Sequence, residues 1–159
     1  MVLALLTTSF LSIVCFVMTM YLGFSHAAVA PHFLWGFFTT FLVTLSQSMT
    51  MFFFIGTGKQ VKDLLVNDSN PQDFIQRTKR FKARVFPPAL WAILFTMAAM
   101  IIGGGVHTRM IPTFVHTVLA AAALYFNLVA FWREAKYMME HNLLMDELER
   151  KLHPAHRPE

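Results

Sequence analysis

The sequence has few charged residues and a single cysteine. Only 14% of its 159 residues are Asp, Glu, Lys or Arg, whereas soluble domains carry about 25%. Hydrophobic residues make up 56% of the chain, which excludes an intrinsically disordered protein. The lone Cys15 excludes a scaffold held together by disulfide bonds. The length suits one domain, and the shortage of charge indicates that this domain lies in lipid.

Four uncharged segments are long enough to cross a bilayer, which takes about 20 residues of helix. They comprise residues 2–23, 33–56, 86–105 and 112–132. Pro87 and Pro88 stand near the start of the third segment and Pro112 at the start of the fourth, where a helix tolerates proline. We therefore predict an all-α integral membrane protein, whose transmembrane domain of residues 1–132 consists of four helices arranged as two hairpins.

The basic residues are confined to two regions. All of them except Arg109 lie in the connection 57–85 or in the tail 133–159. An excess of Lys and Arg marks the cytoplasmic side of a membrane protein. The pattern predicts that both termini and the connection are cytoplasmic, and that the short turns 26–31 and 106–111 face outward. We expect the membrane to be the inner membrane of a bacterium.

The two cytoplasmic regions show helical patterns of their own. In the connection, Gly56 and Gly58 favour an end to the second span, and Pro71 favours the start of a short helix that leads into the basic run 77–84. The tail predicts an amphipathic helix that either continues the fourth span or bends onto the membrane surface. Its apolar side chains, which would pack on the connection or dock a partner subunit, are Met138, Met145, Leu148 and Leu152.

The two outer turns share a pattern that suggests an internal repeat. Both match G-x-x-H-x4-P-x-F at an offset of 81 residues: Gly23, His26, Pro31 and Phe33 in the first turn, and Gly104, His107, Pro112 and Phe114 in the second. A pseudo-two-fold axis along the membrane normal would relate two such hairpins. The alternative is a chance similarity, because glycine and proline are common in turns.

Histidine is the residue type that points to chemistry. His26, His32, His107 and His116 all lie at the outer ends of the spans. Imidazole binds transition metals and serves as an axial ligand of haem. We therefore predict a site for haem b or a transition metal in this layer, with His26 and His107 as the metal pair and Met110 as a further soft ligand. The alternative is that these imidazoles only pack at the membrane interface.

The remaining polar residues carry less chemical information. His141, His153 and His156 are expected to be surface residues of the tail, and no Asp or Glu lies within a predicted span. Gln47 and Asn127 predict hydrogen bonds between helices. No arrangement of serine, cysteine or carboxylate predicts a hydrolytic site, so no catalytic residue is assigned.

Two functions fit this pattern. The layout of four spans with histidines near one surface resembles the small b-type cytochromes that anchor respiratory enzymes, in arrangement but not in motif. The first hypothesis is accordingly a redox membrane subunit that exchanges electrons with a partner such as quinone. The second is a non-catalytic accessory subunit of a larger membrane complex. Both predict lipid and other membrane subunits as partners, rather than nucleic acid or a role as a free-standing enzyme.

Overall fold

The computed structural model describes residues 1–25, 29–66 and 71–152. They form four helices and contain no strand: α1 (Val2–Phe24), α2 (Val29–Leu64), α3 (Gln72–His107) and α4 (Thr113–Leu152). Each helix is long and apolar enough to cross a membrane. The predicted all-helical fold with four candidate spans is therefore confirmed, and it indicates an integral membrane protein.

The helices pack side by side and antiparallel along the chain. Hydroxyl contacts join α1 to α2 at two levels, Thr19 to Thr39 and Ser9 to Ser46. Asn127 on α4 donates to Thr96 on α3, which confirms a cross-helix bond predicted for this amide. We call the end that carries the α1–α2 and α3–α4 connections the turn end. The opposite end, with the α2–α3 connection and most basic residues, is the basic end.

Three of the helices are too long for a bilayer. Helices α2 and α3 have 36 residues each and α4 has 40, against 23 in α1. At 1.5 Å per residue the longer helices reach about 54–60 Å, roughly twice the thickness of the hydrocarbon core. Residues 57–64, 72–85 and 133–152 therefore continue the bundle past α1 at the basic end. We call this part the three-helix extension.

The predicted connection 57–85 is helical over residues 57–64 and 72–85, which belong to α2 and α3. Helix α2 runs through Gly56 and Gly58 instead of ending there. Gly58 is buried against α3, where a Cβ on this residue would lie 3.3 Å from the Nζ atom of Lys82. The predicted helix start at Pro71 does coincide with the beginning of α3 at Gln72.

An apolar core explains why these residues fold into helices rather than a loop. Its buried side chains come from all three helices and include Val61, Leu65, Phe74, Phe81, Met138, Leu144 and Leu148. Burying one large apolar side chain contributes about 1.5–3 kcal/mol. The tail is likewise part of α4, which continues without interruption to Leu152.

Pro87 and Pro88 lie inside α3 rather than at its start, which corrects the predicted boundary. Proline has no N–H, so each one leaves the carbonyl four residues earlier without its helical partner. For Pro88 that carbonyl belongs to Arg84, and the Nη1 atom of Arg133 on α4 donates to it at 3.0 Å. The charged donor replaces the missing backbone bond and ties α3 to α4 at this level.

We expect Arg133→Gln to lower the free energy of unfolding by about 1 kcal/mol, at the low end for a charged donor because the bond is exposed. In a Pro88→Ala background the restored N–H satisfies Arg84, so the same change should cost much less. Denaturant unfolding in detergent micelles measures this coupling, and Arg80→Gln, on the exposed surface of α3, controls for loss of charge. An equal cost in both backgrounds would contradict the assignment.

His141 was expected at the surface but is buried in the extension at 3% exposure. Its ring packs against Phe53, Phe54 and Phe81, with centroid distances of 5.4, 6.2 and 6.3 Å. It lies about 42 Å along α4 from Thr113, beyond the length of a bilayer span. Burial lowers the pKa of His141 below its ordinary value of 6.5, because desolvation disfavours the imidazolium.

This burial predicts a pH-dependent stability. Because the folded-state pKa is lowered, the unfolded chain takes up the proton first, and stability is lost as pH falls below about 6.5. We expect His141→Phe, which keeps an aromatic ring in the cluster, to flatten this loss between about pH 7.5 and 5.5. The exposed His107→Ala should leave the wild-type slope unchanged. Identical slopes in wild type and His141→Phe would refute the prediction.

Candidate functional site

Two of the four predicted histidines approach each other at the turn end. The ring centroids of His32 on α2 and His116 on α4 are 6.1 Å apart, and the ring planes lie at 89°. Both residues sit near the N-terminal ends of their helices. The expectation that at least two imidazoles of the layer would approach is confirmed, whereas their sharing of a ligand stays a prediction.

Each of these rings is anchored by a backbone carbonyl of the preceding helix. The Nδ1 atom of His32 lies 3.0 Å from the carbonyl oxygen of Thr19, and that of His116 lies 2.9 Å from the carbonyl oxygen of Ala99. A carbonyl oxygen can only accept a hydrogen bond, so Nδ1 carries the proton in both neutral rings. The Nε2 atom of each ring then keeps its lone pair.

A glycine makes room for each ring. Gly23 follows Thr19 by four residues and Gly103 follows Ala99 by four, so each glycine lies one turn beyond the accepting carbonyl. A Cβ atom on Gly23 would lie 3.0 Å from Cε1 of His32, and one on Gly103 would lie 3.1 Å from Cε1 of His116. Side chains in these positions would push the rings off their carbonyls.

The other predicted ligands stand apart from this pair. His107 is exposed at the C-terminal end of α3, and Met110 is 85% exposed in the turn that follows. His26 lies outside the described residues, so the predicted metal pair of His26 and His107 stays a prediction. Among residues 1–25, 29–66 and 71–152, no three or more His, Cys, Asp or Glu side chains gather as they would around a metal ion.

A second polar cluster lies between α1, α2 and α4, nearer the basic end. Glu134 is fully buried there, and Ser9 donates to its Oε2 atom at 2.7 Å. Because that bond uses the only hydroxyl hydrogen of Ser9, Ser46 must donate the 2.8 Å bond between the two serines. The side chain of Gln47 lies beside the same carboxyl group, whose Oε1 atom has no hydrogen-bond partner among the described residues.

Sequence reasoning missed Glu134 because it follows Trp132 and Arg133, which mark an interface. The signal that could have revealed it is the helical spacing of the residues around it. Asn127, Ala130, Glu134, Met138 and His141 follow one another at intervals of three or four residues, and all five are buried. A carboxyl group on this face belongs to the inner side of the bundle.

Comparison of the chain with models of protein families, with curated proteins and with solved structures finds no match. The geometry of the two clusters therefore carries the functional argument.

The glycine beside His116 provides a test of this geometry. Alanine is favoured over glycine inside a helix by up to about 1 kcal/mol, and a Cβ on Gly104 meets nothing within 4 Å. Gly104→Ala should therefore keep or raise the free energy of unfolding. Gly103→Ala should be at least about 1 kcal/mol less stable than Gly104→Ala, because it displaces His116 from Ala99. Denaturant unfolding in micelles measures both variants, and equal stabilities would show that the ring is not held.

Proposed function

We propose that this chain is a small membrane subunit that binds haem b between His32 and His116 and serves in electron transfer. The observation that carries the proposal is the pair of adjacent imidazoles, each fixed through Nδ1 by a backbone carbonyl. Histidines that bind a metal usually donate their other ring nitrogen in this way, which fixes the tautomer and orients the ring. The structure thus provides the support that an axial ligand needs.

The spacing of the rings agrees with a metal between them. Two metal–nitrogen bonds of about 2 Å in line, together with the ring radii, place the ring centres roughly 6 Å apart. The centroids of His32 and His116 are 6.1 Å apart. Direct packing of two aromatic rings covers the same range of distances, so the anchored tautomer, rather than the distance alone, favours ligation.

The ligand set favours haem over a bare metal ion. Zinc and similar ions take four or more ligands, and the described residues offer no third or fourth protein ligand of the usual types beside this pair. Haem brings four nitrogens of its own, so two imidazoles complete the coordination of its iron. A haem held by two imidazoles has no open position for oxygen, and the chemistry it supplies when bound is the transfer of single electrons.

We further infer that the molecule consists of two related hairpins, α1–α2 and α3–α4. The carbonyl, glycine and histidine of one half, Thr19, Gly23 and His32, have counterparts in Ala99, Gly103 and His116. The offset between corresponding residues is 80 between α1 and α3 and 84 between α2 and α4. It differs from the offset of 81 in the turn pattern, because the connection before His116 is four residues longer.

The pattern of buried residues supports these offsets in both helices of each hairpin. The buried positions that coincide are Leu5 with Val85, Ser9 with Ala89, Ser12 with Ala92 and Phe16 with Thr96 in the first helices, and Thr39 with Ala123, Val43 with Asn127, Ser46 with Ala130, Thr50 with Glu134 and Phe54 with Met138 in the second. A pseudo-two-fold axis along the membrane normal would then pass between the two imidazoles.

The distribution of basic residues supports an orientation with the three-helix extension and both termini in the cytoplasm. In that orientation the histidine pair lies near the outer face, and a bacterial inner membrane is the setting we propose. Electrons would be exchanged with another membrane subunit or with a quinone in the bilayer. The accessory-subunit hypothesis replaces this proposal if the protein binds no haem.

The visible spectrum of the protein purified from haem-supplied cells in mild detergent tests the proposal. We expect reduced-minus-oxidised difference bands of a b-type haem, which His32→Ala and His116→Ala each abolish while helical circular dichroism persists. The matched control is His107→Ala at the same end of the bundle, which should retain the bands. Absence of haem in the wild type, or bands that survive loss of both His32 and His116, would reject the site.

A further inference from the structure

The surroundings of Glu134 leave its carboxyl group without a counter-charge. Helices α1 and α2 bring only hydroxyl and amide groups to it, from Ser9, Ser46 and Gln47. The basic neighbours on α4 are engaged elsewhere, since Arg133 donates to Arg84 and Lys136 pairs with Glu140. An ionised carboxylate buried without a cation costs several kcal/mol, so something else must neutralise this group.

The carboxyl group of Glu134 also has an unpaired oxygen, and so do two residues of α2. Three fully buried oxygens have no partner among the described residues: Oε1 of Glu134, Oε1 of Gln47 and Oγ1 of Thr50. Thr50 is unusual in this chain, because eight other threonines donate to the carbonyl four residues earlier. Buried polar groups in native proteins are normally paired, so the Oε1 atom of Glu134 requires a hydrogen-bond partner.

We propose that Glu134 is a proton-binding site, in which an exchangeable proton on Oε1 is held between the carboxyl group and Gln47. The proton converts Oε1 into a donor, and the Gln47 amide, whose oxygen and nitrogen are interchangeable by a flip, turns its Oε1 to accept. One proton thereby satisfies two of the three unpaired oxygens and removes the charge. Oε2 is then the carbonyl oxygen of the acid and accepts from Ser9.

The neighbouring hydroxyls give the proton a way to move. On uptake one O–H bond forms on the carboxylate and its charge goes from −1 to 0, and release reverses this. A proton on Oε2 in place of Oε1 would make Oε2 the donor to Ser9, and Ser9 would then donate to Ser46, so the direction of this chain of hydroxyls reverses with the position of the proton. Ionisable residues inside membrane bundles commonly mark proton relays. The site is independent of the histidine pair, because Glu134 lies about 27 Å along α4 from His116.

Infrared spectroscopy of the full chain in lipid or detergent tests the proposal directly. At neutral pH we expect a carboxylic-acid C=O band that Glu134→Gln removes and that shifts to lower frequency in D₂O within minutes. Glu140→Gln is the matched control, because Glu140 is partly exposed and pairs with Lys136 on the same helix. It should leave the acid band unchanged.

A pair of serine variants tests the assignment of the two oxygens without altering the carboxyl group. Ser9→Ala removes the bond to Oε2 and should move the C=O band to higher frequency. Ser12→Ala should not move it, because Ser12 donates to the backbone carbonyl of Ser9.

Three outcomes would overturn the proposal. A spectrum with no acid band assigned to Glu134 would show an ionised carboxylate. An acid band that does not shift in D₂O would show a static structural group. A band that declines as NaCl replaces choline chloride at constant ionic strength would assign the site to a bound cation.

Discussion

Lipid offers no hydrogen-bond partners, and this is the constraint on which the rest of the structure depends. A polar group in lipid must find its partner within the protein. Most of the threonines meet this requirement locally, by donating to their own helices. His32 and His116 meet it across helices, through the carbonyls of Thr19 and Ala99. The partner that each imidazole gains in this way also fixes its tautomer, which is the arrangement that the proposed haem site requires.

The same requirement shapes the basic end. Pro88 leaves the carbonyl of Arg84 without its helical N–H partner, and Arg133 donates to this carbonyl instead. The missing hydrogen bond within α3 is thus replaced by a contact with α4. Beyond α1, the three longer helices bury Phe81, Met138 and Leu144 among themselves. This packing holds α3 helical before its prolines, and it draws His141 into an aromatic cluster. Glu134 lies where the four-helix bundle gives way to the extension, and its partners come from α1 and α2.

Hydropathy was enough to predict four helical spans, because their length and lack of charge leave few alternatives. It failed where packing overrides local signals. Gly58 and Pro88 resemble helix boundaries in sequence, but both lie inside helices of the packed bundle, where Gly58 is buried and Arg133 donates to the carbonyl that Pro88 leaves unpaired. The histidine layer followed from position along the chain, whereas the pairing of His32 with His116 depends on how the helices rotate. The burial of Glu134 was not predicted, because the tryptophan and the arginine that precede it are typical of a membrane interface.

The central claim is that His32 and His116 are the two axial ligands of one haem. Electron paramagnetic resonance of the oxidised protein at low temperature tests it most directly, because the signal depends on the angle between the imidazole planes. The planes lie at 89°, so the account predicts a low-spin ferric signal of the strongly anisotropic kind that perpendicular imidazoles give. A high-spin signal, or the rhombic low-spin signal of parallel imidazoles, would contradict it, as would a protein without any ferric haem signal.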